Sequence, residues 1–231
     1  MTRNKADKKT DISAGDRGES VSQMEPMLIA DSSRHRSQLS DLAIDLAQKS
    51  SGFRRSLPES LVASLADLVR SMNCYYSNLI EGHNTHPIDI ERALKNDLSK
   101  EKKKRSLQLE ARAHVEVQKW LDSGAVTGRA ATVQAICEIH KRFYELLPEE
   151  LAWVENPDTG KKIKVLPGVL RKDDVRVGQH IGISPGAVPR FLEHFESTYS
   201  KLGKADSILS AAATHHRLAW IHPFPDGNGR V

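Results

Sequence analysis

The sequence predicts a mainly α-helical protein with one small β-hairpin. Apolar residues recur at three- and four-residue spacing through most of the segment from Ser37 to Trp220, which is the period of an amphipathic helix. Short extended stretches bounded by Pro, Gly, Asn and Asp are confined to residues 152–178. The 231 residues suit one domain, or a domain with a helical appendage, with enough chain to bury a core.

Residues 1–30 are predicted to form a disordered polar tail. They are rich in Lys, Asp, Ser, Gly and Arg, and large apolar side chains are few before residues 27–29. Burial of so few apolar groups does not offset the entropy that ordering removes.

Residues 31–105 are predicted to form an N-terminal helical region. A first amphipathic helix begins near Ser37 and ends near Gly52. A longer helix runs from Pro58 to Gly82, where glycine provides a stop signal.

A third helix is predicted to begin at Thr85 and Pro87, since proline is favoured in the first turn. The basic run at residues 100–105 is interpreted as a solvated helix end or linker, with a patch for an acidic partner as the alternative.

Residues 106–231 are predicted to form the core domain. Thr132 is a suitable N-cap for one of its helices. The predicted helices are Leu107–Leu121, Val133–Leu147, Pro185–Tyr199 and Asp206–Trp220, and the predicted strands are 152–154, 161–166, 167–171 and 175–178.

The most informative segment is residues 222–230, His-Pro-Phe-Pro-Asp-Gly-Asn-Gly-Arg. His222 has an ordinary pKa of about 6.5, so it can accept a proton from a hydroxyl near neutral pH. Asp226 offers a hard oxygen ligand of the kind that Mg²⁺ prefers. The segment therefore pairs a general base with a metal ligand.

The same segment has the residue types of an anion site. Gly227 and Gly229 lack a Cβ, so consecutive backbone N–H groups can approach a phosphate closely. Arg230 adds a fork of donors that suits bidentate phosphate contact. A simple turn after a helix is the alternative interpretation.

Residues 222–230 resemble the signature of Fic proteins, His-x-Phe-x-Asp/Glu-Gly-Asn-Gly-Arg followed by two residues and a second Arg. The resemblance implies a Fic-type helical bundle that transfers AMP from ATP to a Ser, Thr or Tyr hydroxyl of a protein. By the same resemblance, Phe224 anchors the loop, and Asn228 and Arg230 hold the phosphates. Doc proteins, which phosphorylate, have Lys in place of the glycine before Arg, so Gly229 favours nucleotidyl transfer.

The chain ends at Val231, just before the position of the second Arg of the signature. We therefore expect a C-terminally truncated Fic core that lacks the helix after the signature loop. The N-terminus of that helix would point its N–H groups at the nucleotide. The 231-residue chain is then expected to bind ATP poorly.

Residues 77–82, Ser-Asn-Leu-Ile-Glu-Gly, are similar to the inhibitory motif of Fic proteins, Ser/Thr-x-x-x-Glu-Gly/Asn. Their position before the core implies the class with an N-terminal inhibitory helix. Ser77 and Glu81 share one helix face by their spacing. The resemblance implies that Glu81 blocks the ATP γ-phosphate by pairing with the second Arg, so we expect no ion pair for Glu81 in this chain. A solvated glutamate at a helix end is the alternative.

Fic proteins also have a β-hairpin flap that aligns the target as an added strand. The resemblance implies this role for Gly168, Val169, Leu170 and Arg171, in a hairpin around residues 172–174. An edge strand can bind a peptide through its backbone. An ordinary surface hairpin is the alternative.

Composition limits the other function classes. The net charge of +4 is small, and no zinc-finger or RNA-binding spacing is present, so we expect no nucleic-acid partner. His215, His216 and His222 lack the spacing of a zinc site. No apolar run is long enough for a membrane span, and Cys74 and Cys137 are interpreted as reduced core thiols of a cytoplasmic protein.

The sequence therefore predicts an ATP- and Mg²⁺-dependent protein adenylyltransferase that is inhibited by Glu81. Its partners are ATP and a protein with a hydroxyl side chain, which includes the protein itself, and a homodimer is left open. Two alternatives stand beside this prediction. In the first, a protein of the same fold transfers another nucleotide or phosphate-containing group, or removes AMP. In the second, the chain is an inactive regulatory or interaction module.

Overall fold

The computed structural model describes residues 15–83, 85–155, 160 and 162–231. Helices and turns dominate this part of the chain, which confirms the mainly α prediction. The helices are α1 (Arg36–Ser56), α2 (Glu59–Ile80), α3 (Pro87–Leu94), α4 (Lys102–Asp122), α5 (Val133–Glu145), α6 (Val188–Tyr199) and α7 (Lys204–Ile221). The strands form two antiparallel hairpins, β1 (Trp153–Glu155) with β2 (Lys162–Lys164) and β3 (Arg176–Val177) with β4 (His180–Ile181).

Helix α5 lies at the centre of the core. The Thr132 side chain accepts a hydrogen bond from the Ala135 N–H at 3.1 Å, which confirms the predicted N-cap. Ile136 faces the cluster formed with α6 and α7, whereas Ile139 and Phe143 face the cluster formed with α4 and the β1–β2 hairpin. Because α5 contributes to both clusters, it fixes α4 on one side and α6 and α7 on the other.

Helices α2, α3 and α4 form a third apolar cluster. Its buried members are Cys74, Ile90, Ala111 and Val115. Burial raises the pKa of the Cys74 thiol to about 12, so this thiol stays protonated near neutral pH. Both Cys74 and Cys137 are free thiols.

Residues 15–30 pack against the core, so the predicted disordered tail is wrong for this segment. Met24 and Met27 are buried against α6, and the Tyr199 hydroxyl donates to the Met27 carbonyl at 2.7 Å. Arg190 binds the Asp16 carboxylate at 3.0 Å. Burial of two methionines, together with a few ion pairs, orders this segment although its average composition is polar. Residues 1–14 lie outside the described residues.

Two helix boundaries differ from the sequence prediction. Helix α1 continues through Gly52 to Ser56, because one glycine in a helix is disfavoured by only about 1 kcal/mol. Helix α4 begins at Lys102, so most of the basic run at residues 100–105 forms its first turn.

The predicted strands at residues 152–154 and 161–166 correspond to β1 and β2, with Val154 opposite Ile163. Residues 156–159 and 161, between β1 and β2 in the sequence, lie outside the described residues.

The predicted hairpin of residues 167–171 and 175–178 is wrong. Residues 167–171 form a turn and an irregular segment, and the hairpin is instead β3 with β4, in the register Val177 opposite His180. Gly168 has a φ of 73°, and a Cβ there would lie 2.9 Å from the Cys137 carbonyl oxygen. The tight approach to α5 therefore overrides the strand propensity of this segment.

Among the described residues, every helix is too short or too polar to cross a lipid bilayer.

Acid pH is expected to destabilise the protein through two buried histidines. Burial is the main cause that lowers the pKa of His114 and of His140 to about 4. Because the pKa of each histidine is lower in the folded chain, the folded chain binds fewer protons than the unfolded chain between pH ~4 and 6.5. The free energy of unfolding is therefore highest above about pH 6.5 and falls as the pH decreases toward ~4. Each histidine then accounts for up to roughly 3 kcal/mol of lost stability.

Urea unfolding across this pH range measures the effect. His114→Met is expected to flatten the dependence, whereas His215→Gln, at an exposed position on α7, is expected to leave it unchanged. The same pH slope in wild type and His114→Met would contradict the assignment.

Candidate active site

The site begins where α7 ends. His222 caps the helix in the left-handed conformation, with φ 49° and ψ 65°, and its N–H donates to the Leu218 carbonyl at 3.1 Å. This conformation is uncommon for a residue other than glycine and persists only where surrounding contacts maintain it. The reversal at His222 turns the following loop back toward α5.

Phe224 anchors the loop in the core, as the resemblance implied. It is fully buried and stacks on His140 of α5, with ring centroids 3.8 Å apart and 10° between the planes. His140 Nδ1 accepts the Gly168 N–H at 2.9 Å, so the proton lies on Nε2, which faces the Asp226 carbonyl oxygen at 3.1 Å. His140 therefore holds the loop and the 167–171 turn together.

The Asn228 side chain closes the loop on itself. Its Oδ1 accepts the Phe224 N–H at 3.0 Å, and its Nδ2 donates to the Phe224 carbonyl at 2.9 Å. These two bonds engage both polar atoms of the amide. Asn228 therefore shapes the loop, and its phosphate contact stays a prediction.

The Asp226 carboxylate is exposed and is oriented by Tyr144. The Tyr144 hydroxyl donates to Asp226 Oδ2 at 2.8 Å. Burial raises the pKa of the Tyr144 phenol well above its ordinary value, so it remains a donor. Gly227 has a φ of 78°, and a Cβ there would lie 2.7 Å from the Tyr144 ring. The glycine lets the loop approach α5 closely enough for this bond.

Arg230 is buried at the end of the loop among acidic groups of α2 and α4. Its Nη1 forms an ion pair with Glu81, and its Nη2 lies 3.4 Å from Glu110 Oε2 and 3.3 Å from His83 Nδ1. The expectation that Glu81 lacks an ion pair in this chain is therefore wrong. Arg230 Nε is a buried donor without a hydrogen-bond partner among the described residues.

Glu81 lies directly over the glycine-rich part of the loop. It is the C-cap of α2, and its N–H donates to the Ser77 carbonyl at 3.2 Å, so the predicted helix end near Gly82 is confirmed. A Cβ on Gly229 would collide with the Glu81 carboxylate. The carboxylate thus lies in the space that the absence of a side chain at Gly229 leaves open.

The His222 imidazole is partly buried beside these groups. Burial is the main cause that lowers its pKa, a hydrogen bond to the Ala219 backbone opposes this, and the charge of Arg171 lowers it further. A lowered pKa keeps the imidazole neutral near pH 7. Asp226 is close enough for its charge to act on this pKa.

Most of the residues assigned to the flap contact α5, the core or the His222–Arg230 loop. Gly168 lies in the turn beneath His140, Val169 is exposed, and Leu170 packs on the core. Arg171 is buried, with 3% of its surface exposed. This segment also pairs with the loop, since the Arg171 N–H donates to the Pro223 carbonyl at 3.0 Å.

The β3–β4 hairpin contacts the end of α7. His180 on β4 lies with Nε2 2.9 Å from the Trp220 carbonyl oxygen, at the end of α7. Val177 and Ile181 are exposed.

The sequence analysis did not predict His140 and Tyr144 as site residues, although both lie on the apolar face of the predicted α5 helix.

Among the described residues, no group of three or more His, Cys, Asp or Glu side chains is arranged to hold a metal ion. Asp226 is the carboxylate on the loop.

Residues 130–231 match the model of the Fic/DOC family. The matched segment contains the whole His222–Arg230 loop.

Several curated relatives are similar to about half of the chain. The protein adenylyltransferase Fic of Drosophila erecta is 28% identical over 115 residues, which is 49% of this chain and 20% of the relative. Its namesake in Aedes aegypti is 31% identical over 102 residues, 43% of this chain and 17% of the relative. The match thus spans about a fifth of the length of these relatives.

Proposed function

We propose that the protein is an adenylyltransferase that transfers AMP from ATP to a hydroxyl side chain of a protein, itself included. The observation that carries the proposal is the loop from His222 to Arg230. It combines a neutral imidazole, an oriented carboxylate and a glycine-lined space beside a buried guanidinium. The names of the curated relatives support the same activity.

In the proposed reaction, His222 acts as the general base. It accepts the proton of the target hydroxyl, whose oxygen attacks the α-phosphorus of ATP. The bond from that phosphorus to the oxygen that bridges to the β-phosphorus breaks, and pyrophosphate leaves. Because the pKa of His222 is lowered, the base is ready in its neutral form at physiological pH.

The residues of the loop fit a nucleotide with Mg²⁺. Mg²⁺ is commonly bound by one or two protein carboxylates together with substrate phosphates. Asp226 is exposed, and Tyr144 fixes its orientation by a bond to one oxygen, so it is suited to be that carboxylate. When bound, the ion would neutralise charge on the phosphates.

The phosphates would lie along the glycines and Arg230. The backbone at Gly229 is open to an anion once Glu81 moves away. The unpartnered Nε of Arg230 supports this assignment, because a buried donor without a partner would be satisfied by a phosphate oxygen.

Glu81 would act as a brake on this site. Its carboxylate pairs with Arg230 and covers Gly229, so it repels a phosphate from the same space and competes for the same guanidinium. Ser77, one turn earlier on α2, would help to hold Glu81 through its carbonyl. Release of Glu81 would therefore be required before ATP binds productively.

The free thiols of Cys74 and Cys137 favour a reducing compartment, and we place the activity in the cytoplasm.

Labelled nucleotides test the proposed function. The Glu81→Gly protein is incubated with Mg²⁺ and with ATP, GTP, CTP or UTP labelled at the α-phosphate, and incorporation into protein is measured. Preferential labelling from ATP is expected. Preferential labelling from another nucleotide would establish a different transferase, and labelling by none of the four would indicate AMP removal or an interaction module.

Tyr144→Phe is expected to weaken the use of Mg²⁺. It removes the bond that orients Asp226 and leaves the ring in place against Phe143 and His140. Loss of such a supporting contact commonly reduces metal affinity or activity by about 10–100-fold. The Mg²⁺ concentration at half-maximal transfer should therefore rise by roughly tenfold or more.

The matched control is Tyr76→Phe, which changes an exposed tyrosine on α2. An unchanged Mg²⁺ dependence in Tyr144→Phe would rule out Asp226 as the oriented metal ligand.

A further inference from the structure

Arg171 is a buried cation that bonds four backbone carbonyls in three segments around the site. Only 3% of its surface is exposed. Its guanidinium donates to the carbonyls of His222 at 2.8 Å, Ile183 at 2.7 Å, Asp173 at 3.2 Å and Ile221 at 3.4 Å. These carbonyls belong to the end of α7, the segment before β3 and the segment after β4.

This arrangement depends on the shape of the guanidinium. Five N–H donors in a rigid plane can reach carbonyls that diverge in direction, whereas an ammonium group is a single point. Burial is the main cause that lowers the pKa of Arg171 to about 10, so the cation is held at an energetic cost. The hydrogen bonds to the four carbonyls offset this desolvation and fix the relative positions of the segments that carry them.

The bond from Arg171 Nε to the His222 carbonyl acts on a residue in a rare conformation. His222 is left-handed, and its N–H is held by Leu218 on one side of the residue while its carbonyl is held by Arg171 on the other. A left-handed residue other than glycine persists where surrounding contacts maintain it, and here both sides of His222 are held. The direction of the imidazole follows from this backbone.

We propose that Arg171 is a positioning residue for the reaction: it fixes the left-handed backbone of His222 and ties it to the segments that carry the β3–β4 hairpin. This inference rests on the proposed role of His222 as the base. The sequence analysis assigned Arg171 to a flap that contacts the target protein. The inference instead gives Arg171 the role of aligning His222 with the β3–β4 hairpin.

The N-terminal segment supports the same arrangement from outside. Arg17 binds Asp174, next to the Asp173 carbonyl, with distances of 2.9 and 3.1 Å to its two oxygens. Glu19 accepts the backbone N–H of Ser184 and its hydroxyl, both at 2.7 Å, next to the Ile183 carbonyl. Two of the segments that Arg171 bonds are therefore fixed on both sides.

The test compares Arg171→Lys and Arg171→Gln on the Glu81→Gly background, with rates expressed per folded molecule. Misplacement of a catalytic group by about 1 Å can reduce a rate roughly 100-fold. Arg171→Lys keeps the charge but loses the fork, and we expect kcat to fall by about 10–100-fold with a change of less than about threefold in the KM for ATP. Arg70→Lys is the control, because Arg70 joins α2 to α4 through Asp67 and Asp122, away from His222.

An NMR titration of the His222 imidazole gives a second readout that needs no activity. Arg171, Asp226 and His180 are the charged or titratable groups that act on it. Arg171→Gln removes a neighbouring positive charge, so the imidazole pKa should rise, whereas Arg70→Lys should leave it unchanged.

The outcomes separate the two proposals. An inactive Glu81→Gly protein would contradict the proposed function, while the titration would still decide whether Arg171 acts on His222. A wild-type kcat per folded molecule in Arg171→Lys would overturn the inference, as would an unchanged His222 titration in Arg171→Gln.

Discussion

Replacement of His222 is expected to lower the rate of AMP transfer by roughly 10²–10⁴-fold, the usual contribution of a general base. The imidazole is the titratable side chain at the start of the loop, and its lowered pKa keeps it neutral. The backbone of the loop and Arg230 do not depend on the imidazole ring. Binding of ATP should therefore change far less than the rate.

Two variants are needed, because the residue at 222 is left-handed. His222→Ala removes the base but places alanine in a conformation that it disfavours, whereas asparagine adopts this conformation more readily. His222→Asn should therefore be as inactive as His222→Ala while it keeps the melting temperature of the wild type. His216→Ala, at an exposed position on α7, is the control.

The assignment of the base fails if His222→Asn transfers AMP at the wild-type rate. It also fails if the rates of His222→Asn and His216→Ala fall equally.

Glu81→Gly is expected to raise auto-modification. The change breaks the ion pair with Arg230 and vacates the space beside Gly229. Couplings between a regulatory contact and a ligand site are typically about 1–3 kcal/mol, so we expect an increase of roughly 5–150-fold. The apparent affinity for ATP should rise by the same factor if Glu81 and the phosphates exclude each other.

The matched control is Glu101→Gly, which changes another glutamate at a helix end, the N-cap of α4. It should leave auto-modification unchanged. Equal rates in Glu81→Gly and the wild type would contradict the brake, and so would equal activation by Glu101→Gly.

Local signals in the sequence predicted much of the fold. Thr132 begins α5 as a cap, and the stop at Gly82 correctly locates the end of α2. The residues of the loop are contiguous, so their grouping could be read directly from positions 222–230. Each of these features depends on neighbours within a few residues.

Contacts between distant residues account for what the sequence did not predict. Met27 is ordered by Tyr199, 172 positions away, so the composition of residues 15–30 could not indicate their burial. The bond from Tyr144 to Asp226 spans 82 positions. The residue types of segment 167–171 favour a strand. Its close contact with α5 and the buried hydrogen bonds of Arg171 depend on distant residues, so the sequence could not indicate them.

The position of the label in ATP tests the central claim most directly. The Glu81→Gly protein is incubated with Mg²⁺ and ATP labelled either at the α-phosphate or at the γ-phosphate, beside the same protein with His222→Asn. The α-label should enter the protein, the γ-label should leave with pyrophosphate, and neither should enter the His222→Asn protein. Incorporation of the γ-label alone, or equal incorporation of the α-label with and without His222, would contradict AMP transfer by this loop.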